Sequence, residues 1–378
     1  MKVDQILDLN GLDALIQVDT PFFLYRRPGT TPWVLAVFSP SSVHQLPNLE
    51  SLNNRQGYVL APFSPTKTHP IILLTQPCLY EGSEAISSFL HEFQAPSSES
   101  ASLSNQSAND YTNQETTSTA DREAYHQAYE ACLDAINKGF CQKVVLSRVE
   151  KHPRSPRFSP ANLFQKACKA YPEAFVYLCH TSHTGTWLGS SPETLLENHG
   201  SKWSTVALAG TRSGNRKGLS GWDTKNLDEQ RMVSYHVEDV LDRYGLKSYK
   251  EGPVSSRAGE LTHLKTTYYF SLPEPLKGSM GDMLASLHPT PATCGWPIPK
   301  AQQLLNDCEK HQRAYYAGFV GPLQVAGNTA LYVNLRCMHV LKDQLNLYAG
   351  GGLLADSNET AEWMETSLKL HTLASLLD

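Results

Sequence analysis

Short β-prone runs at residues 22–25, 33–38, 57–61 and 71–74 are bounded by Pro, Gly, Ser and Asn, which predicts strands separated by turns over the front of the chain. From 96 to 120 the pattern gives way to Ser, Thr, Asn and Gln, with Leu103 and Tyr111 as the sizeable apolar residues, so a surface loop or linker is expected there. The chain is therefore divided into a variable front part (1–95), that linker (96–120), and a continuous block (121–378), with the front strands free to join the same sheets. The block opens with a helix over 122–138, on which Tyr125, Ala128, Tyr129, Cys132 and Ile136 share a face and Gly139 is the stop. A strand over 142–148, a hairpin of 174–179 with 185–189, a strand over 205–212 and a long helix over 223–244 follow. At the end, Leu345, Leu347 and Ala349 read as a strand, Gly350–Gly352 as a turn, and the remainder as a helix. Asp356 and Glu359 form its expected capping pair, and Ala361, Met364, Leu368 and the terminal leucines its apolar stripe.

Several polar residues break this pattern. Alternation on the 142–148 strand puts Lys143, Val145 and Ser147 on one face, and burial beside Val145 disfavours a charged ammonium. Lys143 is thus either a base or a lysine snorkelling from a strand start. Pro192 fixes the backbone at a strand end and aims Glu193, which is either a general acid or a turn acid facing water. Glu229 falls in line with the apolar stripe of Met232, Val233, His236, Val237 and Val240, as its wet end or as a metal ligand. Glu362, Glu365 and Lys369 share one side of the last helix, as a solvated face or as a metal- and anion-binding set.

Composition narrows the field. A net charge of −5 without Lys/Arg blocks argues against a nucleic-acid partner. The amino terminus lacks the apolar core of a signal peptide, and no stretch approaches the ~18 apolar residues of a membrane span. A cytoplasmic protein with no membrane partner is expected. The eight cysteines form no CxxC pair and sit mostly among apolar neighbours, which suits buried thiols.

The block from 121 to 378 resembles the chorismate-utilising enzymes: isochorismate synthases, salicylate synthases, anthranilate synthase large subunits and aminodeoxychorismate synthases. The motifs that carry the resemblance run in order along the chain. They are Lys143-Val-Val-Leu-Ser-Arg148, Gly189-Ser-Ser-Pro-Glu193, Leu208-Ala-Gly-Thr-Arg212, Lys225-Asn-Leu-Asp-Glu-Gln230 and Leu261-Thr-His263. After these come Leu287-His-Pro-Thr-Pro-Ala292 with Gly295 and Pro297, Tyr316-Ala-Gly-Phe-Val-Gly321, Leu335-Arg-Cys337 and Ala349-Gly-Gly-Gly352, with Glu362-Trp-Met-Glu-Thr366 and Lys369. Two positions depart from the common pattern: Gln230, where many members have histidine, and Gly351, where alanine is frequent.

The resemblance implies an α/β (α+β) fold of two large, mostly antiparallel sheets stacked face to face with helices outside. It implies Mg²⁺ on Glu229 and Glu365, completed by the substrate's ring carboxylate, a donor set that suits this hard cation. Arg336 is implied to grip the enolpyruvyl carboxylate, and the Gly210–Thr211 and Gly350–Gly352 turns to offer main-chain donors. His263 is placed near the leaving hydroxyl, and Glu362 and Lys369 line the site. Members that add water carry lysine at the position of Lys143. Those that add ammonia carry glutamine there, and a lysine nucleophile replaces Ala209 in aminodeoxychorismate synthases. The implied activity is that of an isomerase. Lys143 takes a proton from water attacking C2 of chorismate, Glu193 protonates the departing C4 hydroxyl, and isochorismate forms. A salicylate synthase, which goes on to expel pyruvate, and a non-catalytic chorismate-binding homologue are the alternatives. No amidotransferase subunit is expected, the protein is expected to be a monomer, and the compact front part leans towards menaquinone synthesis over a siderophore or salicylate.

Overall fold

The structure is a computed structural model, and it describes residues 9–93, 119–214 and 221–377. All but the last two residues of the expected 96–120 linker lie outside the described residues. Among the described residues the strands form two nine-stranded sheets, and every named pairing is antiparallel.

The first sheet runs Gly295–Trp296, Lys143–Pro153, Gln344–Leu353, Cys337–Val340, Gly185–Ser191, Phe175–Thr181, Phe22–Arg26, Trp33–Val37, Cys78–Glu81. The second runs Ser248–Ala258, Leu261–Ser271, Lys202–Ser213, Thr194–His199, Ala330–Val333, Phe319–Leu323, Gly57–Ala61, Ile71–Leu74, Val43–Leu46. The front strands therefore complete one end of both sheets, and the sequence distance between them and the block is bridged by pairing: Phe22–Arg26 lies on Phe175–Thr181, and Gly57–Ala61 on Phe319–Leu323.

The sheets stack because their inner faces share one apolar cluster. Phe23, Phe175 and Tyr177 of the first sheet meet Tyr58, Val320 and Tyr332 of the second, and the rings of Phe175 and Tyr332 lie parallel with centroids 4.2 Å apart. The outer face of the second sheet is covered by the helix Thr224–Arg243, through Val233, Val237, Val240 and Leu241. That of the first is covered by the helices Asn10–Gln17, Ser83–Glu92, Pro160–Ala170 and Glu359–Ala374. No helix among the described residues is long and apolar enough to cross a membrane.

Three local expectations at the carboxyl end are corrected. Gly350–Gly352 is not a turn: it continues the strand Gln344–Leu353 and pairs with Ser147, Leu146 and Val145. The last helix is capped by Asn358, whose side chain accepts from the Ala361 N–H, and Asp356 takes no part. The terminal leucines pack inward as expected, but the earlier part of the helix is turned the other way round. Met364 and Leu368 are 60% and 42% exposed, whereas Glu362, Thr366, Leu370 and Leu373 are buried. The buried face runs at steps of four, four and three, so it is a helical stripe like the expected one, but its upper half is polar because it faces a site and not a core.

That orientation makes a stability prediction. Met364→Gln should change the unfolding free energy by less than about 0.5 kcal/mol, whereas Leu370→Ala should cost about 2–5 kcal/mol. Urea denaturation measures both, and a large loss at Met364 would contradict the inverted helix.

Candidate active site

A cavity lies at the meeting of four elements: the strand Lys202–Ser213, the helix Thr224–Arg243, the strand Gln344–Leu353 and the helix Glu359–Ala374. Of the twelve residues singled out by sequence, it is walled by Glu193, Glu229, His263, Arg336 and Lys369, with Gly210, Thr211, Gly350 and Gly352 as its close-approach backbone. Lys143, Glu362 and Glu365 stand just behind that wall, each tied to a charged partner.

Lys143 is completely buried, and its Nζ lies 2.9 Å from Glu229 Oε1. The contact is an ion pair without hydrogen-bond geometry, so Nζ has no hydrogen-bond partner. The pair explains the glycine opposite it. A Cβ on Gly352 would come within 2.2 Å of Glu229 Oε1 and 3.1 Å of Lys143 Cε. The other two glycines are explained by the same test, because a Cβ on Gly350 would meet the Tyr316 hydroxyl at 2.9 Å, and one on Gly351 would meet Glu362 Oε2 at 3.2 Å. Side chains thus cross the triple glycine on both faces, Tyr316 and the Lys143–Glu229 pair over Gly350 and Gly352 and Glu362 over Gly351. Gly351 has the most room of the three.

Glu193 is 2% exposed, and its Oε1 has no partner. Burial pushes its carboxyl up to about 8, against the opposing pull of the Lys143 and Lys369 charges. At neutral pH it holds its proton, as a general acid must.

His263 and Arg336 are a fixed unit. His263 Nδ1–H donates to the Gly210 carbonyl at 2.9 Å, which leaves Nε2 to accept from Arg336 Nη2 at 3.2 Å. Burial, then the charges of Arg336 and Lys369, hold the imidazole down to about 3, so His263 is neutral. It orients the guanidinium and has no proton to give at Nε2. Arg336 Nη1 donates to Thr372 Oγ1 at 2.9 Å. Burial lowers the guanidinium to about 10, with Glu365 acting against the shift.

The expected main-chain donors are largely committed. Gly210, at φ +71, is the bulged residue where the register between Lys202–Ser213 and Leu261–Ser271 shifts. The Thr211 N–H donates to Asn226 Oδ1 at 2.8 Å. Gly350 and Gly352 belong to a sheet ladder, and the Gly350 carbonyl accepts from Lys369 Nζ at 2.8 Å. The backbone here serves the site's own side chains.

The acids each have a lysine. Glu365 pairs with Lys369 at 2.7 Å; burial raises its carboxyl, but the charge and hydrogen bond of Lys369 outweigh burial and hold it below the usual range. Glu362, buried, pairs with Lys225 and accepts from Ser357 Oγ at 2.8 Å, while its Oε2 has no partner. Burial raises its carboxyl, and Glu365 nearby adds to the shift. Among the described residues these acids do not bring three ligand atoms within 4.8 Å of one another; the group that does is the surface set His126, Glu130 and Glu359. The donors nonetheless fit a hard divalent cation. They are carboxylates in one environment, since Lys225 feels Glu362, Glu229 and Glu365 together, and one buried carboxylate oxygen is unpaired.

Sequence reading missed roles for Lys225, Asn226 and Tyr316. The first two lie in the Lys225–Gln230 motif at the start of a helix capped by Asp223, and that position was the available signal. Gln230 is structural, donating to Thr266 Oγ1 at 2.7 Å and to Ser234 Oγ at 2.9 Å.

The vibriobactin-specific isochorismate synthase of Vibrio cholerae is 27% identical over 260 residues, 66% of this chain and 66% of that protein. The isochorismate synthase EntC of Escherichia coli is 29% identical over 249 residues, 62% of each. The chain thus spans just under two thirds of the length of these curated relatives. In fold it is similar to MenF, the menaquinone-specific isochorismate synthase of Escherichia coli, with a TM-score of 0.74 and 23% identity over 100% of this chain and 92% of that one. It is also similar to anthranilate synthase component I of Streptococcus pneumoniae, with a TM-score of 0.62 and 17% identity over 98% and 86%. The family model of the chorismate-binding enzymes matches residues 22–378, and the chain belongs to that family.

Proposed function

We propose that this protein is an isochorismate synthase, an isomerase that adds water at C2 of chorismate and releases the hydroxyl from C4. The observation that carries the reading is the pairing of opposite requirements in one cavity: a wholly buried lysine in the water-adding position, and a buried carboxyl held protonated up to about pH 8. The curated relatives named above bear the same activity in their names.

In this mechanism Arg336, oriented by His263, binds the carboxylate of the enolpyruvyl arm. Lys143 accepts the proton of the water that attacks C2, as the base of the step. Glu193 gives its proton to the hydroxyl leaving C4, and the ring double bonds shift. Atoms balance, since one water enters and one leaves. Mg²⁺ is the cation proposed for Glu229 and Glu365; bound there, it would supply positive charge to the ring carboxylate and compete with Lys143 for Glu229. We further propose a monomeric cytoplasmic enzyme without an amidotransferase subunit, with menaquinone as the destination of the product on the ground of its compact front part.

Two outcomes test this. Chelation with EDTA should abolish turnover and Mg²⁺ should restore it; full activity in metal-free protein would contradict the assignment of Glu229 and Glu365. Glu193→Gln should lower kcat by about 10²–10⁴ while leaving KM for chorismate nearly unchanged. In the wild type the acid form is lost as pH rises through the Glu193 value, so kcat/KM should fall on an alkaline limb near pH 8, and that limb should be missing from the variant. A normal rate in Glu193→Gln would reassign the acid.

A further inference from the structure

The strand that carries Lys143 is paired unequally on its two sides. Along one edge it has a full partner, Gln344–Leu353, with ten residues in register. Along the other, the partner Gly295–Trp296 spans two residues, opposite Val144 and Lys143. The ladder on that side ends with the Val145 N–H donating to the Cys294 carbonyl at 2.9 Å. The next two groups on the edge are the Val145 carbonyl and the Ser147 N–H, both of which a continuing antiparallel strand would have paired. Leaving them unpaired in a buried strand would cost about 1–3 kcal/mol each.

An ion pair takes the place of the missing strand. Arg313 Nη2 donates to the Val145 carbonyl at 2.6 Å, and Glu309 Oε1 accepts from the Ser147 N–H at 2.8 Å. The two side chains are joined by a fork, Nη2 to Oε1 at 2.6 Å and Nε to Oε2 at 2.7 Å, and both are almost wholly buried. Donor meets carbonyl and acceptor meets N–H in the order a strand residue would offer them. Arg313 Nη1 also donates to the Thr293 carbonyl at 2.7 Å, just before Gly295–Trp296, and its guanidinium stacks on the Phe63 ring at 4.3 Å. The Arg313 carbonyl accepts from the N–H of Tyr316, which lines the cavity.

We infer that Glu309 and Arg313 are positioning residues for the reaction: a side-chain surrogate strand that fixes the backbone two and four residues beyond Lys143, and so fixes where Nζ stands relative to Glu229 and the cavity. Neither residue touches the cavity where substrate is bound, so their effect passes through the Lys143–Pro153 strand. The inference deepens the proposed function and rests on it for its kinetic half; its structural half stands apart.

Amide hydrogen exchange tests the structural half in the wild type. The Ser147 N–H should be protected to within about tenfold of the neighbouring ladder amides Val144 and Leu146; exchange at the rate of an open sheet edge would overturn the clamp whether or not the protein makes isochorismate. The kinetic half is tested with Arg313→Lys, which keeps the charge and loses the fork. Exchange at Ser147 should rise at least tenfold more than at residues 175–181 of the same sheet. The kcat should fall by about 10²-fold, the loss expected from roughly 1 Å of misplacement, with KM for chorismate within about threefold. Glu309→Gln is read in the same way should the arginine variant not fold. Faster exchange at Ser147 with kcat unchanged, or a loss confined to KM, would show that the pair holds the strand without positioning the lysine.

Discussion

The site is built around one constraint: a lysine with no access to water must have a carboxylate against it, and the two must cross a sheet without room for a side chain beneath. Removing one partner of such a buried pair costs about 3–5 kcal/mol, because the other charge is left stranded. Lys143 meets Glu229 over Gly352, and everything adjacent follows from that crossing. The strand Gln344–Leu353 runs on as a glycine floor, the helix Thr224–Arg243 must present an acid from its second turn, and the last helix turns its polar stripe inward so that Glu362 and Glu365 stand in the same environment.

Within that frame the protein separates the protonation states of two kinds of carboxylate by environment alone. Glu193 is buried without a hydrogen-bond partner for Oε1, and two lysine charges nearby do not offset the loss of hydration. Glu365 is also penalised by burial, but a lysine one turn along bonds it directly and keeps it ionised. One carboxyl thus keeps its proton and the other its charge, the separation of states that acid–base sites require.

Much of this was legible in the sequence where local pattern and site coincide. The front strands, the hairpin Phe175–Thr181 with Gly185–Ser191 and the long central helix all appear where periodicity placed them, because their apolar faces meet apolar cores. The carboxyl end was misread where the two part company. Gly350–Gly352 looks like a turn by propensity, and it is a strand because neighbouring side chains exclude a Cβ. Ala361, Met364 and Leu368 look like a core stripe, and they face outward because the polar stripe is needed inside. The partners of Thr211, Glu362 and Gly350, namely Asn226, Lys225 and Tyr316, carry no periodic signal. They are distant in sequence, and only the meeting of the strand Lys202–Ser213 with the two helices and the Tyr316 segment defines them.

The central claim is that Lys143 is the base that activates water. The most direct measurement is product analysis by reversed-phase chromatography after Lys143→Gln protein is incubated with chorismate and Mg²⁺ in ordinary buffer. Glutamine keeps the length of a polar side chain and cannot take up the proton of the attacking water. The account predicts that isochorismate formation is lost, mainly in kcat, since the grip on the substrate carboxylate proposed for Arg336 is untouched. Isochorismate formed at close to the wild-type rate would contradict it and leave Lys143 as the structural partner of Glu229.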